Sequence, residues 1–371
     1  MAVIIAICLT GVIAFGQDLE ERALKWKVPT PADGQSHTWE RACFSKDGKS
    51  ILAIEKGIDK QGSVLNVSLS EFSLKGEIVR EVQLFGDQIH QRYSPSVRPL
   101  IPAMAVSPDG ILLVVYLESD FHASVIRLDH EWKVVNSERL PESLSGAIFM
   151  TSATVPDGLL LLGTSGPAAI VTKLDLKGTI GWTRAFTREG RVNVMSDAVL
   201  SRDGKDLYLA GHSGVTNKLG FGQQDVWLIK ATVDGKERHE QFFPGRRPVL
   251  AGPFEDGNLA VLYDTEILFN TRNRLRIVDP EFKQVSDTPI ETGSHVTIHR
   301  PSLAMSGKNR FLMGGDANLV EYDSAGKPTG KLGANLPFHQ SSLVLSESGI
   351  LVIGNQNETS DPSRGILFFI R

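Results

Sequence analysis

Three histidines stand at matching distances ahead of a recurring serine. His37 is eight residues before Ser45, His299 seven before Ser306 and His339 seven before Ser346. Neutral imidazole nitrogen suits zinc, copper, iron or nickel, so three converging histidines describe a transition-metal site. The corresponding segments elsewhere carry Arg98, Arg191 with Asn193, and Arg246 with Arg247, while Arg300 adjoins His299. A ring of His and Arg can instead hold a carboxylate or phosphate through charge-assisted, bidentate hydrogen bonds. The plain alternative is structural: each imidazole caps a carbonyl or stacks on a neighbour, and each arginine pairs with Asp or Glu from an adjacent loop. His295 and His299 cannot share one ion, because four residues of strand span about 13 Å. His90 and Arg92 lie in a longer segment that can cover the same place.

The elements that must position these residues repeat. A short apolar run, a Gly-containing turn and a second apolar run recur as FSKDGKSILAI (44–54), VSPDGILLVV (106–115), TVPDGLLLLG (154–163) and LSRDGKDLYLAG (200–211). Looser copies follow as FEDGNLAVL (254–262), MSGKNRFLMGG (305–315) and LSESGILVIG (345–354). The marker glycines 48, 110, 158, 204, 257, 307 and 349 are 62, 48, 46, 53, 50 and 42 residues apart. Such a period describes an array of supersecondary units, and at roughly 40–50 residues the usual unit is a four-stranded propeller blade. Each copy also has a downstream hairpin signal, such as FSLKGEIVREVQL (72–84) or VWLIKATVDGKERHEQFF (226–243). No sustained helical stripe occurs, so helix content should be small.

The seventh copy ends at its third strand, Gly365–Ile370, while residues 23–28 form an unassigned strand before the first copy. Closing the last blade with that strand removes an open edge and makes a ring. The expected fold is therefore an all-β, seven-bladed β-propeller of four-stranded antiparallel blades, one domain over 17–371. The 62-residue step leaves six or eight blades open. In a ring, copies one, six and seven are neighbours, which gathers His37, His299 and His339 at one channel mouth.

The fourth copy, with Asp225-x-Trp227-x-x-Lys230 followed by an Asp-Gly turn, resembles exported bacterial propeller repeats. In the third copy, KLDLKGTIGW (173–182) is similar to the tryptophan-docking turn of quinoprotein-type propellers. Each resemblance covers about one blade. They imply an architecture and little chemistry, since propellers host unrelated functions.

Enzyme signatures are missing. Ser45-Lys46-Asp47-Gly48 lacks the spacing and aromatic of a sialidase Asp box, and there is no vicinal Cys pair, nucleophile elbow, His-Glu-x-x-His helix or phosphate loop. A net charge of −4 with no basic aromatic stripe argues against nucleic acid. The apolar segment 2–16, ending Ala14-Phe15-Gly16 before a polar run, reads as an export signal over 1–16; an uncleaved anchor is the alternative. Cys8 would leave with the signal, and Cys43 alone forms no internal disulfide. Trp132, Trp182 and Trp227 are expected between blades, and Asp109, Asp157 and Asp203 as turn formers before glycine. Asn66-Val67-Ser68 and Asn357-Glu358-Thr359 match a glycosylation acceptor pattern of low specificity.

The expectation is a secreted or periplasmic, monomeric binding scaffold, off the membrane once the signal is removed. Its partner would be a protein, a peptide or a small anionic molecule at the channel mouth. The alternative is a metal- or His-dependent hydrolase or lyase at the same mouth. The residues assigned to ligand binding are His37, Arg98, Arg191, Arg246, His299, Arg300 and His339, with His37, His299 and His339 as the metal set.

Overall fold

Runs rich in Val, Ile, Leu and aromatics pair with the next run along the chain, as short alternating segments bounded by turns must. The computed structural model describes residues 24–28, 36–58, 64–85, 100–106, 112–117, 122–215, 224–267, 270–290, 302–315, 318–332, 339–346, 349–356 and 364–370. The segment 1–16, His90, Arg92, Arg98, Asp109, His299 and Arg300 lie outside these residues, and for His37 and His339 the backbone alone is described.

An N-terminal strand, β1 (Leu24–Val28), precedes the first blade. That blade is β2 (Ser36–Phe44), β3 (Ser50–Ile58), β4 (Val64–Ser73) and β5 (Ile78–Phe85). Blade two is β6 (Leu100–Val106), β7 (Leu112–Leu117), β8 (Ala123–Leu128) and β9 (Val134–Arg139). Blade three is β10 (Ala147–Val155), β11 (Gly158–Ser165), β12 (Ala168–Asp175) and β13 (Ile180–Phe186). Blade four is β14 (Val192–Leu200), β15 (Asp206–Gly214), β16 (Gln224–Thr232) and β17 (Glu237–Pro244). Blade five is β18 (Arg246–Ala251), β19 (Leu259–Ile267), β20 (Asn270–Val278) and β21 (Gln284–Ile290). Blade six is β22 (Ser302–Gly307), β23 (Arg310–Gly315), β24 (Asn318–Asp323) and β25 (Pro328–Leu332). Blade seven is β26 (His339–Ser346), β27 (Gly349–Gln356) and β28 (Arg364–Ile370), with β1 as its outer strand.

All seven sheets are four-stranded and antiparallel. The expected closure is present: Trp26 pairs with Phe369, Lys27 with Phe368 and Val28 with Leu367. Each innermost strand touches the next around the ring, and β2 meets β26, β27 and β28. Among the described residues the only helix is one 3-10 turn, Glu142–Leu144.

The core lies in the seams between blades. One apolar cluster joins Leu52, Ile54 and Leu69 of blade one to Val114, Tyr116 and Trp132 of blade two, and further clusters fill the next seams. In blades one to six a five-residue turn joins the third and fourth strands. In Asp129–Lys133 the first N–H donates to the fifth carbonyl, and Asp129 Oδ1 accepts from the N–H groups of Glu131 and Lys133. The fourth position is left-handed: Gly76, Gly178, Gly235 and Gly326 occupy it, but so do Trp132 (φ 66°) and Phe282 (φ 62°). That conformation costs a side chain roughly 1–2 kcal/mol. Burying the aromatic offsets it: Trp132 is 5% exposed, with the Arg80 guanidinium of blade one 3.9 Å above its ring. At Gly235 the geometry is reversed. Trp182 of the preceding blade covers the glycine and donates through Nε1 to the Val233 carbonyl at 3.1 Å. The expectation that Trp132, Trp182 and Trp227 pack between blades is met.

The glycine punctuation is chemically mixed. Gly48, Gly204 and Gly257 are left-handed, at φ 67°, 72° and 84°. In blade three the turn is Pro156-Asp157, and Gly158 is the first residue of β11, crowded by the Leu174 carbonyl. There Asp157 binds Lys173 at 2.7 Å rather than preceding a left-handed glycine.

Candidate functional site

Two kinds of connection meet at one end of the ring: those between second and third strands, and those leading from an outer strand to the next inner strand. Residues paired directly across antiparallel strands share a sheet face, so the registers define polar rows at this end. They are His37–Gly57–Asn66, Asn193–Ser213–Asp225, Arg246–Asp264–Asn273 and His339–Asn355–Gly365. The backbones of His37, Arg246 and His339 thus begin their inner strands at the same end, and Arg191 immediately precedes β14. Asp264 and Asn273 are buried.

At the seam of blades three and four, two guanidiniums share one carboxylate. Arg188 Nη1 donates to Asp225 Oδ2 at 2.9 Å, and Arg191 Nη1 donates to the same oxygen at 2.5 Å and to the Ser213 carbonyl. Phe242 fixes the plane of Arg188, whose Cζ lies 3.9 Å from the ring centre. Asn193, fully buried, donates through Nδ2 to the carbonyls of Pro167, Arg188 and Arg191, so one amide pins the loop that carries both arginines. Above them opens a cleft of about 370 Å³ lined by Pro167, Arg188, Glu189, Arg191, Val192, Asn193 and Val215.

Blade five begins with a strained bulge. The ladder skips between Arg246 and Val249, and Arg247 takes φ 51°, unusual for a non-glycine residue. Neighbouring groups hold it there: Ser196 Oγ donates to the Pro248 carbonyl at 3.0 Å, and Asp197 Oδ2 accepts the Leu250 N–H at 2.7 Å. Strain of this kind persists only where the surroundings over-determine it. Among the described residues, the Arg247 guanidinium has no hydrogen-bond or ion-pair partner.

A second two-arginine cluster, in blade five, shows what a closed version looks like. Asp287 accepts from Tyr263 Oη, Arg274 Nε, and Arg276 Nε and Nη2. Burial alone would raise its pKa, but the hydrogen bonds from Arg276, Tyr263 and Arg274 together hold it below the usual carboxylate value. Burial pushes the Tyr263 phenol up, and Asp287 adds to that shift. This cluster turns most of its donors inward.

Elsewhere, burial pushes the Cys43 thiol up to about 12, which leaves it inert as a nucleophile. Burial likewise lowers Arg41, against the opposing effect of Glu40. Among the described residues no three His, Cys, Asp or Glu side chains cluster as a metal site; the side chains of His37, His299 and His339 lie outside those residues. Arg191 and Arg246 are therefore the predicted site residues whose surroundings are described. Sequence reasoning missed Arg188, Asp225 as the counter-ion of Arg188 and Arg191, and Phe242. The signal for Asp225 was the Asp225-x-Trp227-x-x-Lys230 pattern. Asp225 takes the arginines, Trp227 packs on Phe186 and Phe242, and Lys230 reaches Glu281 of the next blade at 2.6 Å.

No family model matches the chain, and no curated protein is significantly similar to it in sequence. Solved structures do match. The Pan2 WD40 domain of Neurospora crassa aligns over 95% of this chain and 96% of its own, with a TM-score of 0.59 and 9% identity. The Cps50 (Swd1) β-propeller domain of Myceliophteria thermophila covers 93% of this chain and 99% of its own, with a TM-score of 0.54 and 11% identity. At such identities the likeness defines the class by fold alone: a β-propeller.

Proposed function

We propose that the chain is a non-catalytic binding scaffold that takes an anionic ligand at the ring end where the polar rows begin, beside the channel mouth. The observation that carries this reading is Arg247. A cation with no protein partner among the described residues is held in a strained backbone conformation on the strand that borders the channel. Arg246 stands beside it, and the rows begun by His37 and His339 start at the same end. Guanidinium is the cation best shaped to grip a carboxylate or phosphate, and strain kept at such a place is a mark of function. Propellers commonly recognise partners through loops at one end, which agrees with the placement.

Substituting Arg247→Gly tests it, because glycine tolerates the left-handed backbone while removing the cation. The full chain should keep or gain stability, by up to about 1 kcal/mol. Its affinity for citrate, measured by calorimetric titration, should fall about tenfold, the loss of roughly one charge-assisted contact. Unchanged citrate affinity, or no citrate binding by the wild type, would refute the reading.

A further inference from the structure

We infer that the cleft at the seam of blades three and four is a separate receptor for a singly charged carboxylate on a branched apolar body. This rests on the reading that this end of the ring takes anions, and adds where one of them sits and what it carries.

Geometry supplies the head group. Arg188 and Arg191 each spend only Nη1, both on Asp225 Oδ2. Their Nε and Nη2 atoms have no partner among the described residues, and none of these four atoms is fully buried. The side chains are 34% and 18% exposed. Two guanidiniums against one carboxylate leave one positive charge, with several N–H groups unspent. The fold has already ordered them, by the Phe242 ring under Arg188 and the Asn193 amide under the loop, so binding an anion immobilises little more. In the Asp287 cluster, Asp287 takes Nε and Nη2 of both Arg274 and Arg276 and the Tyr263 hydroxyl besides, so each arginine there keeps one nitrogen without a partner among the described residues rather than two.

The walls supply the rest. Val192 and Val215, 38% and 46% exposed, rise on the rim beside Pro167. An inorganic anion would leave those surfaces unused, whereas a short branched hydrocarbon would cover them. Glu189, exposed at the same rim, opposes a second negative charge and so disfavours a phosphate dianion. A volume near 370 Å³ sits at the small end for ligand sites and suits one compact group. That group is a free organic acid or the C-terminal carboxylate of a peptide ending in an aliphatic residue.

The test is calorimetric titration of the full chain with isovalerate, acetate, inorganic phosphate and a short peptide ending in a free leucine carboxylate. Isovalerate should bind at least tenfold tighter than acetate or phosphate. Arg188→Ala should abolish that preference, Arg188→Lys should not restore it because lysine lacks the planar fork, and Val215→Ser should weaken it severalfold. Arg238→Ala, far from the cleft beside the turn that opens β17, should leave it unchanged, and thermal melts should show every variant folded. Tighter binding of the peptide than of isovalerate would assign the source to a protein terminus, and the reverse to a metabolite. Equal binding of phosphate, or isovalerate binding that survives Arg188→Ala, would overturn the inference. If isovalerate fails while citrate still binds and depends on Arg247, only the seam receptor falls; if neither binds, both readings fall.

Discussion

Alanine at Asp287 and alanine at Asp225 should have very different costs, although each carboxylate serves two arginines. The Asp287 side chain is 9% exposed and its carboxylate receives four hydrogen bonds, from Tyr263, Arg274 and twice from Arg276. Three come from guanidiniums, and each such bond contributes about 1.5–3 kcal/mol, partly offset by desolvation. Removing one partner of a buried ion pair strands the other charge, so Asp287→Ala should cost about 3–5 kcal/mol. Asp225 receives only one bond from each guanidinium, while guanidinium exposure is nearly the same in the two clusters, 34% and 18% at Arg188 and Arg191 against 32% and 17% at Arg274 and Arg276. With two charge-assisted bonds to lose rather than three, and no phenol bond besides, Asp225→Ala should cost less, about 2 kcal/mol. Urea unfolding of the full chain, with midpoints compared at a common slope, gives both numbers. Equal losses, or a larger loss at Asp225, would show that the open and closed clusters do not differ and would remove the physical basis for a receptor at the seam.

Other outcomes follow from the same geometry. Gly235→Ala places a methyl 2.7 Å from Arg184 Cγ and 3.0 Å from Trp182 in a left-handed turn, whereas Gly190→Ala meets nothing within 4 Å. The first should lose about 2–3 kcal/mol and the second about 1, as read by thermal or urea unfolding. Asp287 titrates below the ordinary carboxylate value when folded, so its contribution is complete above about pH 4 and is lost as pH falls through the lowered value. Asp287→Asn should therefore flatten the acid limb of a stability–pH curve, and an unaltered limb would contradict the assignment. The Cys43 peptide should resist iodoacetamide at pH 8 until the chain is unfolded, as peptide mass mapping would show.

Much of the frame was legible because it depends on local chemistry. Ser45 and Ser201 each hold the Asp two residues on, which in turn accepts the N–H of Lys49 or Lys205. That pattern is written in the residues themselves. Closure by residues 24–28 was readable because one copy lacked a strand and one strand lacked a copy. Trp132 and Phe282 hid two seam turns, since an aromatic stood where the other turns have glycine. These two turns share Asp at the first position and Lys at the fifth with Asp323–Lys327, but not with Ser73–Glu77, Asp175–Thr179 or Thr232–Lys236. The arginine cluster was half legible. Counting back from the turns found Arg191, but Arg188 lies in the connecting loop, where no periodicity operates. Its partner Asp225 is 37 residues away and is brought near only by folding. Whether a guanidinium's edge is spent or open depends on every neighbour at once, as the contrast between Asp225 and Asp287 shows.

The most direct test of anion recognition at this end of the ring is nitrogen-detected NMR of the arginine side chains during titration with citrate and then isovalerate. Citrate should move the Nε signals of Arg246 and Arg247, and isovalerate those of Arg188 and Arg191, while Arg274 and Arg276 stay still. Signals that all remain fixed, or that move at Arg274 and Arg276 as far as at Arg188, Arg191 and Arg247, would contradict the account.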